Sequence, residues 1–166
     1  VTSDDETRSA ARVAVYDPSG NLAIQWAGVP QSSKAFTRML NMVALAEPGL
    51  VDAHRFAREG RVAAAQRATA VAVLALGDAV RGRALLESLR DSTSEEDGQL
   101  AAIYLERLNR IEVGRKPSEE VLVALASAGV TPLVRFEGWM ATGNLRSEDV
   151  RYADAATAYG LALDSA

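Results

Sequence analysis

The sequence predicts an all-α domain of antiparallel helix pairs, with a small β-hairpin near the N-terminus. Three observations predict this class. Apolar residues recur at helical spacing over most of the chain from residue 34 onward. Glycine, proline and short polar loops separate these stretches, with turn glycines at Gly77 and Gly114. The period-two alternation that is typical of strands is found at residues 12–26.

Composition narrows the classes of function. A chain of 166 residues that is 48% hydrophobic suits one domain with a substantial core. The net charge is −4 and the pI about 5.1, so the sequence lacks the basic footprint of a nucleic-acid-binding protein. It contains no cysteine, which excludes disulfides, thiol catalysis and cysteine metal sites but leaves the compartment open. Lys34 and Lys116 are the only lysines, a usage that indicates a GC-rich bacterial genome.

Nothing in the sequence predicts insertion into a membrane. No apolar run approaches the ~18 residues that a membrane-spanning helix needs. Residues 1–11 form a polar, acidic arm without the apolar segment of a signal peptide. We therefore expect a cytoplasmic protein, and a mature periplasmic or secreted form stays open.

The β-hairpin is predicted at residues 12–30. Two β-prone runs, residues 12–16 and 22–26, flank a turn that contains Pro18 and Gly20. The turn resembles those of propeller blades and of small sensory α/β domains, which allows the alternative of a regulatory or sensory module. An isolated hairpin is marginal in water, so this one should pack on the helices or pair with another chain.

The first helices are predicted on either side of a proline. Ser32 or Ser33 can cap a helix over residues 34–47, and Pro48-Gly49 should end it. A shorter helix over residues 50–59 should end at Gly60. These two helices form a less regular pair at the start of a helical domain that covers residues 31–166.

Three degenerate helix pairs follow, near residues 63–89, 100–128 and 133–164, giving about eight helices in all. Their first positions, Ala63, Leu100 and Phe136, are 37 and 36 residues apart. Such a spacing falls in the range of helical repeats, which stack into a short α-solenoid.

The last of these pairs carries the most specific pattern. Counted from Phe136, six residues take matching places, namely Trp139, Gly143, Tyr152, Ala155, Tyr159 and Ala162. Residues 136–166 thus resemble one tetratricopeptide repeat, a helix-turn-helix unit of about 34 residues. Arg146 stands where an aromatic residue is usual, and Val150 where a turn glycine is usual.

Two alternatives to tetratricopeptide-like stacking remain open. Residues 63–110 also resemble a HEAT repeat, through Ala-Leu-Gly-Asp at 75–78, the apolar helix near Leu85 and Asp91 before the next helix. A helical bundle without repeats could be built from the same pairs.

We expect no enzymatic chemistry, metal or cofactor. His54 is the only histidine, and together with Asp52 and Glu59 it falls short of the ligands of a closed zinc site. A Gly-x-Ser-x-Gly nucleophile motif is missing, and the stretch from Gly138 to Gly143 has no phosphate-loop lysine.

The resemblance implies a protein or peptide partner instead. In tetratricopeptide stacks the first helix of each pair lines a concave, peptide-binding surface. Carried to this chain, that surface would comprise Arg67, Val71, Tyr104, Arg107, Leu108, Glu137, Met140 and Asn144. Arg67 and Arg107 are the candidate partners of carboxylates. The sequence thus predicts a scaffold or adaptor that binds a peptide or helix, unless residues such as Met140 and Leu108 simply fill the core.

Self-assembly is a further alternative. The final helix is expected to expose Tyr159, Leu161 and Leu163, and repeat arrays normally need a polar capping element at their ends. A second copy of the chain covering this helix would produce a homo-oligomer.

Overall fold

The computed structural model describes residues 12–16, 20, 22–28, 30, 32–113 and 117–166. Over these residues the protein is mostly helical, with a small two-stranded sheet, as the sequence predicts. The elements are β1 (Arg12–Tyr16), β2 (Leu22–Ala27), α1 (Ser33–Arg58), α2 (Val62–Ala75), α3 (Ala79–Glu87), α4 (Glu95–Val113), α5 (Glu119–Ala128), α6 (Pro132–Glu148) and α7 (Tyr152–Asp164). The predicted polar arm at residues 1–11, most of the hairpin turn and residues 114–116 lie outside the described residues.

Helix α1 is continuous through Pro48, so the predicted break at Pro48-Gly49 is wrong. Ala46 and Leu50, on either side of the proline, are both buried in one cluster with Ala72 and Leu76. A proline inside a helix costs about 3 kcal/mol, because it removes a backbone hydrogen bond. Burial of the residues on both sides of Pro48 against α2 offsets that cost.

Gly49 lets α1 and α2 approach closely at this point. A Cβ atom on Gly49 would lie 3.0 Å from the carbonyl oxygen of Ala68 and from the Cβ of Ala72. Because glycine lacks that atom, the two backbones can meet directly. Gly49 therefore serves the helix–helix contact and does not end the helix. The two helices predicted over residues 34–59 are therefore a single helix of 26 residues. For this reason the described residues hold seven helices instead of the predicted eight or so.

The hairpin packs on the helices, which is one of the two outcomes predicted for it. β1 and β2 pair antiparallel, with Val15 opposite Ile24 and Val13 opposite Trp26. Val15, Ile24 and Trp26 pack on the cluster of Ala46, Leu50, Ala72 and Leu76 between α1 and α2. The hairpin therefore covers one end of the first helix–helix contact.

From α1 to α7, each helix packs against the next one along the chain, and α4 also contacts α2 and α6. Two further clusters bury the middle and the end of this row. One joins α2, α3 and α4 through Ala70, Leu86, Leu89, Ala101 and Leu105. The other joins α4, α5 and α6 through Leu100, Ile103, Leu122, Val134, Ala141 and Leu145. Consecutive pairing brings α2, α4 and α6 side by side.

Local sequence sets the start of most helices. The side chains of Ser32, Asp78, Ser118 and Thr131 each accept a hydrogen bond from a backbone N–H of the following first turn. Helix α4 begins at Glu95, where Ser94 Oγ accepts a hydrogen bond from the backbone N–H of Asp97 at 3.4 Å. The acidic residues of its first turn interact favourably with the positive helix end. None of the helices over the described residues is long and apolar enough to cross a membrane.

Candidate functional site

An open groove of about 430 Å³ lies where α1, α2, α4 and α6 meet. Its walls combine apolar and charged side chains. The lining residues are Leu45, Pro48, Gly49, Asp52, Arg55, Phe56, Arg67, Ala68, Val71, Tyr104, Leu133 and Glu137. A volume of this size falls within the range of ligand-binding clefts.

The groove brings together half of the residues predicted to bind a partner. Arg67 and Val71 reach it from α2, Tyr104 from α4 and Glu137 from α6. These residues come from all three predicted helix pairs, up to 70 residues apart in the chain. The structure therefore places in one groove four residues that the sequence could connect only through a resemblance.

Arg67 is held by an internal ion pair below the groove. Its Nε donates to Asp97 Oδ1 at 2.7 Å, and the two side chains are only 11% and 8% exposed. Ser94 Oγ donates to the other carboxylate oxygen of Asp97, also at 2.7 Å. The charge of Arg67 is thus neutralised within the protein, and a carboxylate of a partner would have to compete with Asp97 for it.

Tyr104 is the central polar group of the groove. It is half-buried and lies among the charges of Arg67, Arg107 and Glu137. Burial raises the pKa of Tyr104 above its ordinary value of 10.0, and the nearby charge of Glu137 raises it further, against the opposing effects of Arg67 and Arg107. The phenol therefore stays protonated at neutral pH and remains a neutral hydrogen-bonding group.

Arg107 and Glu137 form a looser pair at the same place. Arg107 Nη1 lies 3.8 Å from Glu137 Oε2, and its guanidinium carbon is 5.9 Å from the centre of the Tyr104 ring. The Arg107 side chain is 47% exposed, so water screens this pair far more than the pair of Arg67 and Asp97. Of the two arginines predicted to meet carboxylates, Arg107 is the one with an exposed charge.

The α1 wall of the groove is the part that sequence analysis missed. Leu45 is 73% exposed there, and Asp52 pairs with Arg55 at 2.9 Å. The Phe56 ring lies against two guanidinium groups, those of Arg55 at 4.7 Å and Arg61 at 4.4 Å from its centre. Leu45, Asp52 and Phe56 are spaced by seven and four residues, which is one face of an unbroken helix. That spacing could have identified the wall, had the helix been continued through Pro48.

The remaining predicted partner-binding residues lie outside the groove. Arg107 and Asn144 line a second cavity of about 390 Å³, together with Tyr159. Met140 is half-buried, and Leu108 is only 6% exposed and belongs to the core, so it offers a partner little surface.

The candidate residues for self-association differ in exposure. Leu161 and Leu163 are 38% and 73% exposed, as expected. Tyr159 is half-buried and exposes less surface than expected. Its ring lies where a Cβ atom on Gly143 would be, and its hydroxyl donates to Asn144 Oδ1 at 2.8 Å. Tyr159 thus holds α7 against α6.

Metal ligands do not gather anywhere in the described part of the chain, where no three His, Cys, Asp or Glu side chains could hold an ion together. The groove residues offer apolar surface, paired charges and one phenol, which suits binding by contact and hydrogen bonding.

No protein-family model, curated protein or solved structure matches this chain. The functional argument therefore rests on the groove and on the residues that form it.

Proposed function

We propose that the protein is an interaction scaffold or adaptor that binds a peptide or a helix of a partner protein in the groove of α1, α2, α4 and α6. One observation carries the proposal: predicted binding residues from three helix pairs line a single groove whose walls expose Leu45 and Leu133. Leu45 on α1 is 73% exposed and Leu133 on α6 is 42% exposed.

The arrangement we favour for these helices is a short, tetratricopeptide-like α-solenoid, with HEAT-like stacking as the alternative. Its support is the contact of α4 with both α2 and α6, which are the first helices of the predicted pairs. In such a stack these helices form one surface, and the groove lies on it.

Binding would draw its free energy mainly from apolar burial. Full burial of a leucine side chain contributes about 1.5–3 kcal/mol, and the groove presents exposed leucines from two of its helices, α1 and α6. The charges of Asp52, Arg55 and Glu137 surround this apolar surface and can set the register of a bound chain. The surface is preformed, so little reorganisation opposes binding.

The proposal is tested with peptides selected from a phage-displayed library of random sequences on the immobilised protein. Affinities of a selected peptide are then measured by fluorescence anisotropy for the wild type and for Leu45→Glu. Leu163→Glu on α7 is the matched control, because Leu45 and Leu163 are both 73% exposed. We expect Leu45→Glu to weaken binding by about tenfold or more, since it removes burial worth about 1.5–3 kcal/mol.

The control should bind as the wild type does. Failure to select any peptide, or equal affinity for Leu45→Glu and the wild type, would contradict binding in the groove. Circular dichroism of both variants verifies that they fold.

Self-association through α7 is the second candidate function, favoured by its exposed side chains. Tyr152 is 66% and Leu163 is 73% exposed on this helix. Light scattering coupled to size-exclusion chromatography tests it on the same two variants. A wild-type dimer that becomes a monomer with Leu163→Glu but not with Leu45→Glu supports assembly through α7, and a wild-type monomer rules it out.

A further inference from the structure

Glu137 presents a carboxylate to the groove that no hydrogen bond holds among the described residues. Its side chain is 22% exposed, and the cation beside it, Arg107 Nη1, lies 3.8 Å from Oε2, which is too long for a hydrogen bond. In the described part of the chain, no side-chain oxygen is both buried and without a hydrogen bond. The oxygens of Glu137 are therefore open to solvent, and a donor that enters the groove can reach them.

Other carboxylates of the protein are held much more firmly. Asp97 Oδ1 accepts a hydrogen bond from Arg67 at 2.7 Å. Glu119 accepts one from Arg146 and one from Arg151, both at 2.8 Å. Neither Asp97 nor Glu119 is among the residues that line the groove. The comparison distinguishes carboxylates that stabilise the fold from Glu137, whose acceptor sites are unused.

Arg107 is a weak competitor for this carboxylate. Its side chain is 47% exposed, and it lines the second cavity, with Asn144 and Tyr159, instead of the groove. An exposed ion pair contributes little free energy, so Arg107 can turn toward water at little cost. A cation supplied by a ligand can therefore take its place beside Glu137.

The charge of Glu137 selects a cation over an anion. A basic side chain that reaches it forms a charge-assisted hydrogen bond, which is roughly twice as strong as one between neutral groups. A carboxylate at the same point would be repelled by Glu137, and the nearby charge of Arg67 is already neutralised by Asp97. This sign is the opposite of the one expected from Arg67 and Arg107.

Leu133 places an apolar contact one helical turn from this carboxylate. Leu133 and Glu137 are four residues apart on α6, and both line the groove. Residues at this spacing lie on one face of a helix, with Cβ atoms about 5–6 Å apart. Leu133 is 42% exposed. A peptide that covers Leu133 can thus place a second side chain on Glu137.

We propose that Glu137 is a specificity-determining residue of the groove, whose carboxylate binds an arginine or lysine side chain of the peptide while an apolar side chain of the same peptide covers Leu133. The inference rests on the proposed function. It adds the chemistry that the partner must present, which is a basic residue close to an apolar one.

The first test is the affinity of a library-selected peptide for Glu137→Gln, measured by isothermal titration calorimetry. Glu87→Gln is the matched control, because Glu87 on α3 pairs with Arg83 at the similar distance of 3.6 Å and is not among the residues that line the groove. Loss of a hydrogen bond to a charged group should weaken binding by about tenfold or more. The control should leave the affinity unchanged, and thermal melts of both variants verify that they are folded.

A second variant, Arg107→Gln, tests the competition for Glu137. It removes the guanidinium that pairs with this carboxylate, so the same peptide should bind about two- to fivefold more tightly. Weaker binding to Arg107→Gln would instead indicate that Arg107 contacts an acidic group of the peptide, and the inference would be wrong.

A third test identifies the basic residue of the peptide. Each Arg or Lys of the selected peptide is replaced in turn by Gln. One replacement should weaken binding to the wild type and have no further effect in Glu137→Gln. A peptide with Glu at that position should bind Glu137→Lys more tightly than it binds the wild type, because the charges of the pair are exchanged.

The outcomes separate this inference from the proposed function. If Glu137→Gln binds the peptide as tightly as the wild type while Leu45→Glu still weakens binding, the groove binds peptides and the role of Glu137 is wrong. If no Arg or Lys of the peptide is coupled to Glu137, the basic ligand is wrong. If no peptide binds the wild type, the proposed function fails and this inference fails with it.

Discussion

Removal of the carboxylate of Asp97 should be among the most damaging single changes in the protein. In Asp97→Ala, Arg67 would keep its charge in a place where its side chain is only 11% exposed, without the ion pair at 2.7 Å. Removing one partner of a fully buried pair costs about 3–5 kcal/mol. Both side chains keep a little contact with water, at 11% and 8% exposure, so we expect the lower end of that range, about 3 kcal/mol.

Urea unfolding followed by circular dichroism measures this loss. The double variant Arg67→Met, Asp97→Ala is the decisive control, because it removes the buried charge together with its partner. We expect the double variant to be more stable than Asp97→Ala alone, since an apolar side chain can replace a buried ion pair at little cost. Asp97→Ala also removes a hydrogen bond to Ser94, which caps α4. The variant Ser94→Ala measures the loss of this cap alone, which should cost about 1 kcal/mol. A loss below about 0.5 kcal/mol for Asp97→Ala, the size expected at an ordinary surface position, would refute the reasoning.

Three further changes test other parts of the fold. Val150→Gly should stabilise by about 1 kcal/mol and raise the melting temperature by about 2–4 °C, because Val150 has a φ of +62°. Scanning calorimetry measures this melting temperature. In the same experiment the control Val80→Gly, at an exposed position in α3, should lower it. Glu119→Gln should destabilise by about 1 kcal/mol at pH 7 in urea titrations. Hydrogen bonds from Arg146 and Arg151 lower the pKa of Glu119 below its ordinary 4.5, so this difference should vanish as the pH falls through the lowered value. Pro48→Ala should raise the free energy of unfolding by about 1–3 kcal/mol, since it restores a helical hydrogen bond. The urea midpoint should therefore rise, and a lower midpoint would contradict this.

The pair α6–α7 is where the sequence pattern and the structure agree most closely. Gly143 and Tyr159 are two of the six residues that take matching places in the pattern, and in the structure the tyrosine ring lies against the glycine. Val150 stands where a turn glycine is usual. Its backbone has a φ of +62°, the left-handed conformation that a glycine adopts at no steric cost. Arg146 stands where an aromatic residue is usual, and its Nε donates to Glu119 at 2.8 Å, which ties α6 to α5. A local pattern could predict this pair because its contacts lie within one short segment.

The course of α1 could not be predicted from local rules. Pro48 and Gly49 are strong signals for the end of a helix, and only the distant residues of α2 decide that α1 continues. Burial of Ala46 and Leu50 against Ala72 and Leu76 depends on contacts between residues more than 20 positions apart. Propensity is a weak guide in such a case, because tertiary packing overrides it.

The groove could be predicted only in part, because it also depends on contacts between residues that are distant in the sequence. Val71, Tyr104 and Glu137 were assigned to one surface because they lie on the first helices of successive pairs. The α1 wall was missed along with the continuity of α1. The ion pair of Arg67 with Asp97 spans 30 residues, and no spacing rule connects two positions on different helices.

The measurement that tests the central claim most directly is hydrogen–deuterium exchange with and without a library-selected peptide. The account predicts that added peptide slows exchange in the helical segments that line the groove, at residues 45–56, 67–71 and 133–137 and around Tyr104. Exchange in α7 (Tyr152–Asp164) should stay unchanged. Protection confined to α7 or to the hairpin would contradict the claim that this groove is the binding site.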